Sequence, residues 1–148
     1  MHNYKNLHIW QDGIKLARTI YEVTNTFPAN EKFGIVSQMT RAAVSIPSNI
    51  AEGAGRSSNK DFANFLSIAI GSIFELHTQI VICQQVGLIN EITAKQLEEQ
   101  TFTLQQQITA YKQKLEVTQP SYSPKDDPTA KRSYSPKDGP TAKRSTMK

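Results

Sequence analysis

Through the first 117 positions apolar side chains recur at steps of three and four residues, with no strict alternation. That spacing lays them along one face of an α-helix and leaves no segment that reads as a strand. Leu7, Trp10, Ile14, Ala17, Tyr21 and Thr24 define a first helix over about residues 5–26, closed at Phe27-Pro28 because the residue before a proline is pushed out of the helical region. Val36, Met39, Ala43, Ile46 and Ile50 define a second over 31–52, with Gly53 and Gly55 as C-terminal caps. Pro47 inside it cannot donate to the carbonyl of Ala43, so the expectation is a kink near 43–47, or a restarted helix capped by Ser45.

Ser58 with Asp61 starts a third helix, which runs to Val86 before Gly87 ends it. Thr93-Ala-Lys-Gln96 spells a capping box for a fourth, carried on by Leu97, Thr101, Leu104, Ile108, Tyr111 and Leu115. Four helices joined by short loops describe an all-α, antiparallel up-and-down four-helix bundle over residues 1–118.

The third helix carries more apolar surface than one bundle needs. Phe62, Phe65, Ala69, Ile73, Leu76, Ile80 and Cys83 form one stripe, and Ile70, Phe74 and Val81 a second about 100° round the axis. Asn64, Ser67, Gly71, Glu75, Thr78 and Gln79 make up the polar remainder. No helix of a four-helix bundle is central, so the second stripe, with His77 beside it, is the expected interface of a homo-oligomer; one large exposed patch is the alternative.

The composition changes at residue 119. Residues 121–132 and 133–144 are two copies of a twelve-residue unit that differ only at Asp127 and Gly139. With two prolines per copy and tyrosine as its only large apolar residue, the unit cannot offset its ordering entropy, so 119–148 is expected to be a disordered basic tail. The chain's net charge of +4 sits there: residues 1–120 carry ten basic and ten acidic side chains.

Few features suggest catalysis. The single Cys83 excludes an internal disulfide framework, and its place on the first stripe makes it a small buried side chain. His2, His8 and His77 lie in separate segments, Glu98-Glu99 reads as a solvated face, and no phosphate-cradling glycine loop follows a strand. Gly53-Ala-Gly-Arg56 follows a helix C-terminus, where the dipole disfavours anions. The expectation is a protein that is not an enzyme, without metal or cofactor. No apolar run approaches the roughly 18 residues of a membrane span and the start lacks a signal peptide's apolar core, so the expected location is the cytoplasm, away from membranes.

Within the bundle, residues 1–60 hold seven basic and four acidic side chains, net +3, and 61–120 hold three and six, net −3. Lys15, Arg18, Arg41, Arg56 and Lys60 are therefore candidate phosphate contacts, each with a solvated charge or an intersubunit ion pair as its alternative. In the tail, Lys131, Arg132, Lys143 and Arg144 are further candidates, with Tyr122 and Tyr134 able to stack on bases. A solubilising tail left by a duplication is the other reading.

One block is more specific than any periodicity: Arg41-Ala-Ala-Val-Ser-Ile-Pro-Ser-Asn-Ile-Ala-Glu-Gly-Ala-Gly-Arg56. With Leu7-x-x-Trp10, Phe27-Pro-x-x-Glu31, Phe65-Leu-Ser-Ile-Ala-Ile-Gly-Ser72 and Glu75-Leu76, it closely resembles the four-helix-bundle family of 23S ribosomal RNA intervening-sequence proteins over about residues 5–115. The resemblance implies a bacterial ring-shaped homopentamer. It also implies kinship with the accessory variability proteins of diversity-generating retroelements, which bind nucleic acid and a reverse transcriptase through a basic surface. Ser45, Pro47, Asn49, Glu52 and Gly53 are the signature positions: Pro47 bends the helix, Gly53 ends it, and the polar three satisfy a neighbour's backbone or pair with Arg41 or Arg56, unless they form a recognition surface.

Two functions follow as expectations. The first is a non-enzymatic homo-oligomer that binds RNA or DNA through phosphates. The second is a protein-interaction scaffold, such as an accessory subunit of a reverse transcriptase.

Overall fold

The computed structural model describes residues 2–118, which fold as four α-helices with no strand among them: α1 (His8–Thr24), α2 (Ile35–Ala54), α3 (Asn59–Gln85) and α4 (Glu91–Val117). Two short 3-10 turns, Tyr4–Asn6 and Ala29–Glu31, precede α1 and α2. The tail expected over 119–148 lies outside the described residues. Consecutive helices pack side by side, and α1 meets α4 along the sparsest seam. Ser45 meets Ser72, Met39 meets Cys83, His77 meets Thr101 and Phe62 meets Tyr111, so numbers rise on one helix as they fall on the next. That is the up-and-down order α1–α2–α3–α4 around a square, in which the α1/α2 edge lies opposite the α3/α4 edge.

Helix ends follow local chemistry, with two departures from expectation. Ser58 caps α3 as expected: its Oγ accepts from the Asp61 N–H at 3.1 Å and donates to the Asp61 carboxylate at 2.7 Å. Gly87 stops α3 at φ +80°, and the N–H groups of Leu88 and Ile89 both donate to the carbonyl of Cys83. At α4 the cap is Asn90 rather than Thr93, with the Asn90 side-chain oxygen accepting from the Thr93 N–H at 2.8 Å. The helix thus starts one turn earlier than the capping-box spelling suggests. α2 begins at Ile35 instead of Glu31, because Ala29–Glu31 forms a separate turn.

Both special residues of α2 act by packing. The helix runs through Pro47 without a break, so it does not restart with Ser45 as its cap. The buried proline ring lies against α1 at Gly13, where an added Cβ would stand 3.4 Å from Pro47 Cβ. Gly53, expected to end α2, instead lies buried inside it, and Gly55 is the cap. A Cβ on Gly53 would meet both the Phe62 ring and Phe65 Cβ at 2.7 Å, so the missing side chain is what lets α3 approach.

A single core holds the four helices together. Met39, Ile46 and Ile50 from α2, Phe62, Leu66, Ile73, Leu76 and Ile80 from α3, and Leu97 and Ile108 from α4 are fully buried. On α1 the core stripe is Ile9, Leu16, Ala17, Ile20 and Thr24; Ile14 and Tyr21, expected inside, stand exposed on the side of α1 that faces α2. α3 is long and apolar enough, by length and composition, to cross a membrane, with a window of mean hydropathy 1.6. Ten of its residues are buried in the bundle, the pattern of a helix that supplies core to both neighbours.

Candidate functional site

The signature block lies on the α2/α3 edge, where it forms a polar seam. Ser45 Oγ is 2.8 Å from Ser72 Oγ, and the Asn49 amide donates to both the Ser45 hydroxyl, at 2.9 Å, and the Ser45 carbonyl, at 2.8 Å. One turn on, Glu52 pairs with Arg56 at 2.6 Å, while the Arg56 guanidinium sits 4.5 Å from the centre of the Phe65 ring. Gln79, assigned by its pattern to the polar arc, is only 5% exposed. Its amide nitrogen reaches Glu75 at 3.4 Å and its oxygen has no partner among the described residues. The Ser45 hydroxyl and the Asn49 amide nitrogen thus hydrogen-bond inside the seam.

Three of the five candidate phosphate contacts of the bundle pair with carboxylates three or four residues away. Lys15 pairs with Asp12 at 3.2 Å, Arg18 with Glu22 at 3.0 Å, and Arg56 with Glu52. Each partner lies three or four residues away, spacings already visible in the sequence. These pairs are solvent-exposed and worth about 0–1 kcal/mol each, yet they cancel much of the local field. Arg41 and Lys60 have no ion-pair partner among the described residues. Lys15 lines a polar groove of about 520 Å³ between α1 and α4, with Asp12, Glu99, Gln100 and Gln107 around it and Leu16 and Leu104 below. Lys131, Arg132, Lys143 and Arg144 lie outside the described residues.

Two other edges carry exposed apolar side chains. On the α3/α4 edge, Phe74 (57% exposed) and Phe102 (59%) flank a groove of about 230 Å³ that His77, Thr101 and Gln105 complete. His77 Nδ1 is 3.5 Å from Thr101 Oγ1, and Ile70 and Val81, on the same stripe of α3, are half-buried. Phe102 was not among the expected interface residues; its signal in the sequence is an aromatic outside the core rhythm of α4, next to buried Thr101. On the α1/α2 edge, Tyr21 (55% exposed) and Phe33 (89%) line a groove of about 520 Å³ with Val36 and Thr40. Ile14, two turns from Tyr21, and Val44, one turn from Thr40, extend that face and are exposed.

Reactive chemistry is sparse. Among the described residues no group of three or more His, Cys, Asp or Glu side chains could hold a metal ion. Cys83 is fully buried with its Sγ 3.6 Å from Met39 Sδ; burial, and secondarily the Glu31 charge, push the thiol pKa up and away from reactive thiolate. Burial likewise raises Tyr111.

Fold and edges together define a class: a four-helix bundle with a hydrogen-bonded α2/α3 seam and exposed apolar side chains on two further edges. The chain belongs to the family described as 23S rRNA-intervening sequence protein, whose model matches residues 5–110. A solved structure from Bacteroides thetaiotaomicron, of a protein with unknown function from the S23 ribosomal protein family, is similar, with a TM-score of 0.63 and 19% identity over 70% of this chain and 96% of that one. At that identity the likeness is one of fold. No curated protein matches the chain.

Proposed function

We propose that the protein is a non-enzymatic, self-assembling scaffold: copies associate through their apolar edges and leave the polar edges free for a partner. The observation that carries this reading is the pair of phenylalanines, Phe74 and Phe102, more than half exposed around one groove. An apolar patch of that kind on a small bundle is an interaction surface or an aggregation hazard. The assembly is a closed ring, with five copies expected from the family resemblance.

Binding of RNA or DNA is the second reading. Arg41 and Lys60, the two candidate cations without a carboxylate partner, favour it, and a ring would repeat them and raise a weak site to useful affinity. The family's association with 23S ribosomal RNA in its description points the same way. Against it stand the three paired cations and the neutral charge balance of residues 1–120.

Titrating labelled single-stranded RNA and duplex DNA with the full chain and with a 1–118 truncation, at two salt concentrations, separates the two. The scaffold reading expects no binding by the truncated bundle even at low salt. Binding that survives truncation and weakens linearly in log salt would establish the nucleic-acid reading instead.

A further inference from the structure

The polar groove between α1 and α4 has the chemistry to hold a basic segment. Its charged lining residues are Asp12, Lys15 and Glu99; the Lys15 ammonium is engaged by Asp12 at 3.2 Å, and Glu99 has no ion-pair partner among the described residues. The side-chain oxygen of Gln107, which lines the same groove, is buried without a hydrogen-bond partner among them. A buried acceptor left unpaired is costly, and a donor brought into the groove would relieve it. The other grooves lack this combination. Lys32 is the one charged residue lining the α1/α2 groove, no carboxylate lines the α3/α4 groove, and in the pocket formed with the α3–α4 loop Glu22 is already taken by Arg18.

The chain itself carries a basic segment within reach. Residues 121–148 hold seven basic and three acidic side chains, and they follow directly on α4, which forms one wall of the groove. Glu99 stands about 27 Å back along α4 from Val117 at a rise of about 1.5 Å per residue. A proline-rich strand doubling back at roughly 3.1 Å per residue covers that distance in about nine residues. With about four residues for the reversal, Lys131-Arg132 comes level with Glu99.

We propose that the first copy of the tail repeat, residues 121–132, folds back into the α1/α4 groove of its own chain, with Lys131-Arg132 paired to Glu99. The second copy, 133–144, begins beyond Gln96, the last α4 residue of the groove, and stays outside it. The two copies share Pro-Thr-Ala-Lys-Arg-Ser at 128–133 and 140–145, so position rather than local sequence sets them apart. Docking of this kind needs one chain alone and is independent of self-assembly.

Digestion of the full chain with an arginine-specific endoprotease tests it, because the second copy is a built-in control for the first. Cleavage draws on undocked tails, so at low salt the bond after Arg132 should be cut at least about threefold more slowly than the bond after Arg144. Glu99→Lys, at an exposed position, should leave the circular dichroism melt of the bundle unchanged and bring the Arg132 rate up to the Arg144 rate. High salt should do the same by screening the pair. Equal rates in the wild-type chain, or protection of Arg132 that persists in Glu99→Lys, would overturn the proposal. Protection that fades on dilution would overturn it too, because the tail would then be held by a second copy.

Discussion

The two seams of α3 are finished to different degrees. Toward α2, the contact is completed within the chain: Gly53 lets the helices close on Phe62 and Phe65, and Ser45, Asn49 and Ser72 satisfy one another. Toward α4, the core side is equally well buried, but Phe74 and Phe102 stay in water on the outer side. The difference locates the chain's two kinds of information. The signature block packs α2 against α3, and the apolar edges are where the proposed scaffold would meet further copies.

The largest effect should come from filling the closed seam. Gly53→Ala would place a methyl 2.7 Å from the Phe62 ring and from Phe65 Cβ. Overpacking of this kind costs about 1–3 kcal/mol and outweighs the roughly 1 kcal/mol of helix propensity that alanine gains, so chemical denaturation at fixed protein concentration should show net destabilisation. Unchanged or increased stability would mean the seam is looser than described.

Removing the seam's hydrogen bonds should cost less. Ser72→Ala leaves Asn49 bonded to Ser45 and is expected to lose about 1 kcal/mol. A double-mutant cycle with Ser45→Ala should show that the two changes are not additive, while strict additivity would break the assignment of the Ser45–Ser72 contact. In the opposite direction, Gly71→Ala should stabilise by about 0.5–1 kcal/mol, since this mid-helix glycine has nothing within 4 Å of an added Cβ. A destabilised Gly71→Ala would point to a contact at that position.

The smallest expected effect is alkaline. Burial raises the Cys83 thiol above its ordinary value of 9.0, so the folded chain favours the neutral form. That contribution is complete below pH 9.0 and declines as pH rises toward the folded-state value, because the unfolded chain ionises first. Cys83→Ala removes this thiol term, so subtracting its stability–pH curve from that of the wild type should leave a difference that falls above pH 9.0. A difference that stays flat there would contradict the burial.

Much of this was legible in the sequence where the cause is local. Ser58 and Gly87 act within a turn of themselves, and the stripes of α2 and α4 follow helical period directly. What was misread depends on distant neighbours. Gly53 resembles a cap because it stands near a helix end, yet its place is set by the Phe62 ring and the Phe65 Cβ, nine and twelve residues away in the chain. Pro47 is legible as a proline inside a helix, but the packing of its ring on Gly13 of another helix is not. Asn90 and Thr93 are overlapping cap spellings, and the chain uses the earlier. Of the candidate site, the stripe containing Phe74 was visible as surplus apolar surface, whereas Phe102, Phe33 and the exposure of Tyr21 depend on which helix faces which. The ion pairs of the cations are legible too, since Asp12–Lys15, Arg18–Glu22 and Glu52–Arg56 stand three or four residues apart in the sequence.

The central claim, that the bundle's apolar edges are covered by other copies of itself, is tested most directly by the solution mass of the full chain over a dilution series. The account predicts a discrete multiple of 16.6 kDa that Phe74→Asp reduces to a single chain without lowering the bundle's melting cooperativity. A wild-type chain that stays at 16.6 kDa at every concentration would contradict it.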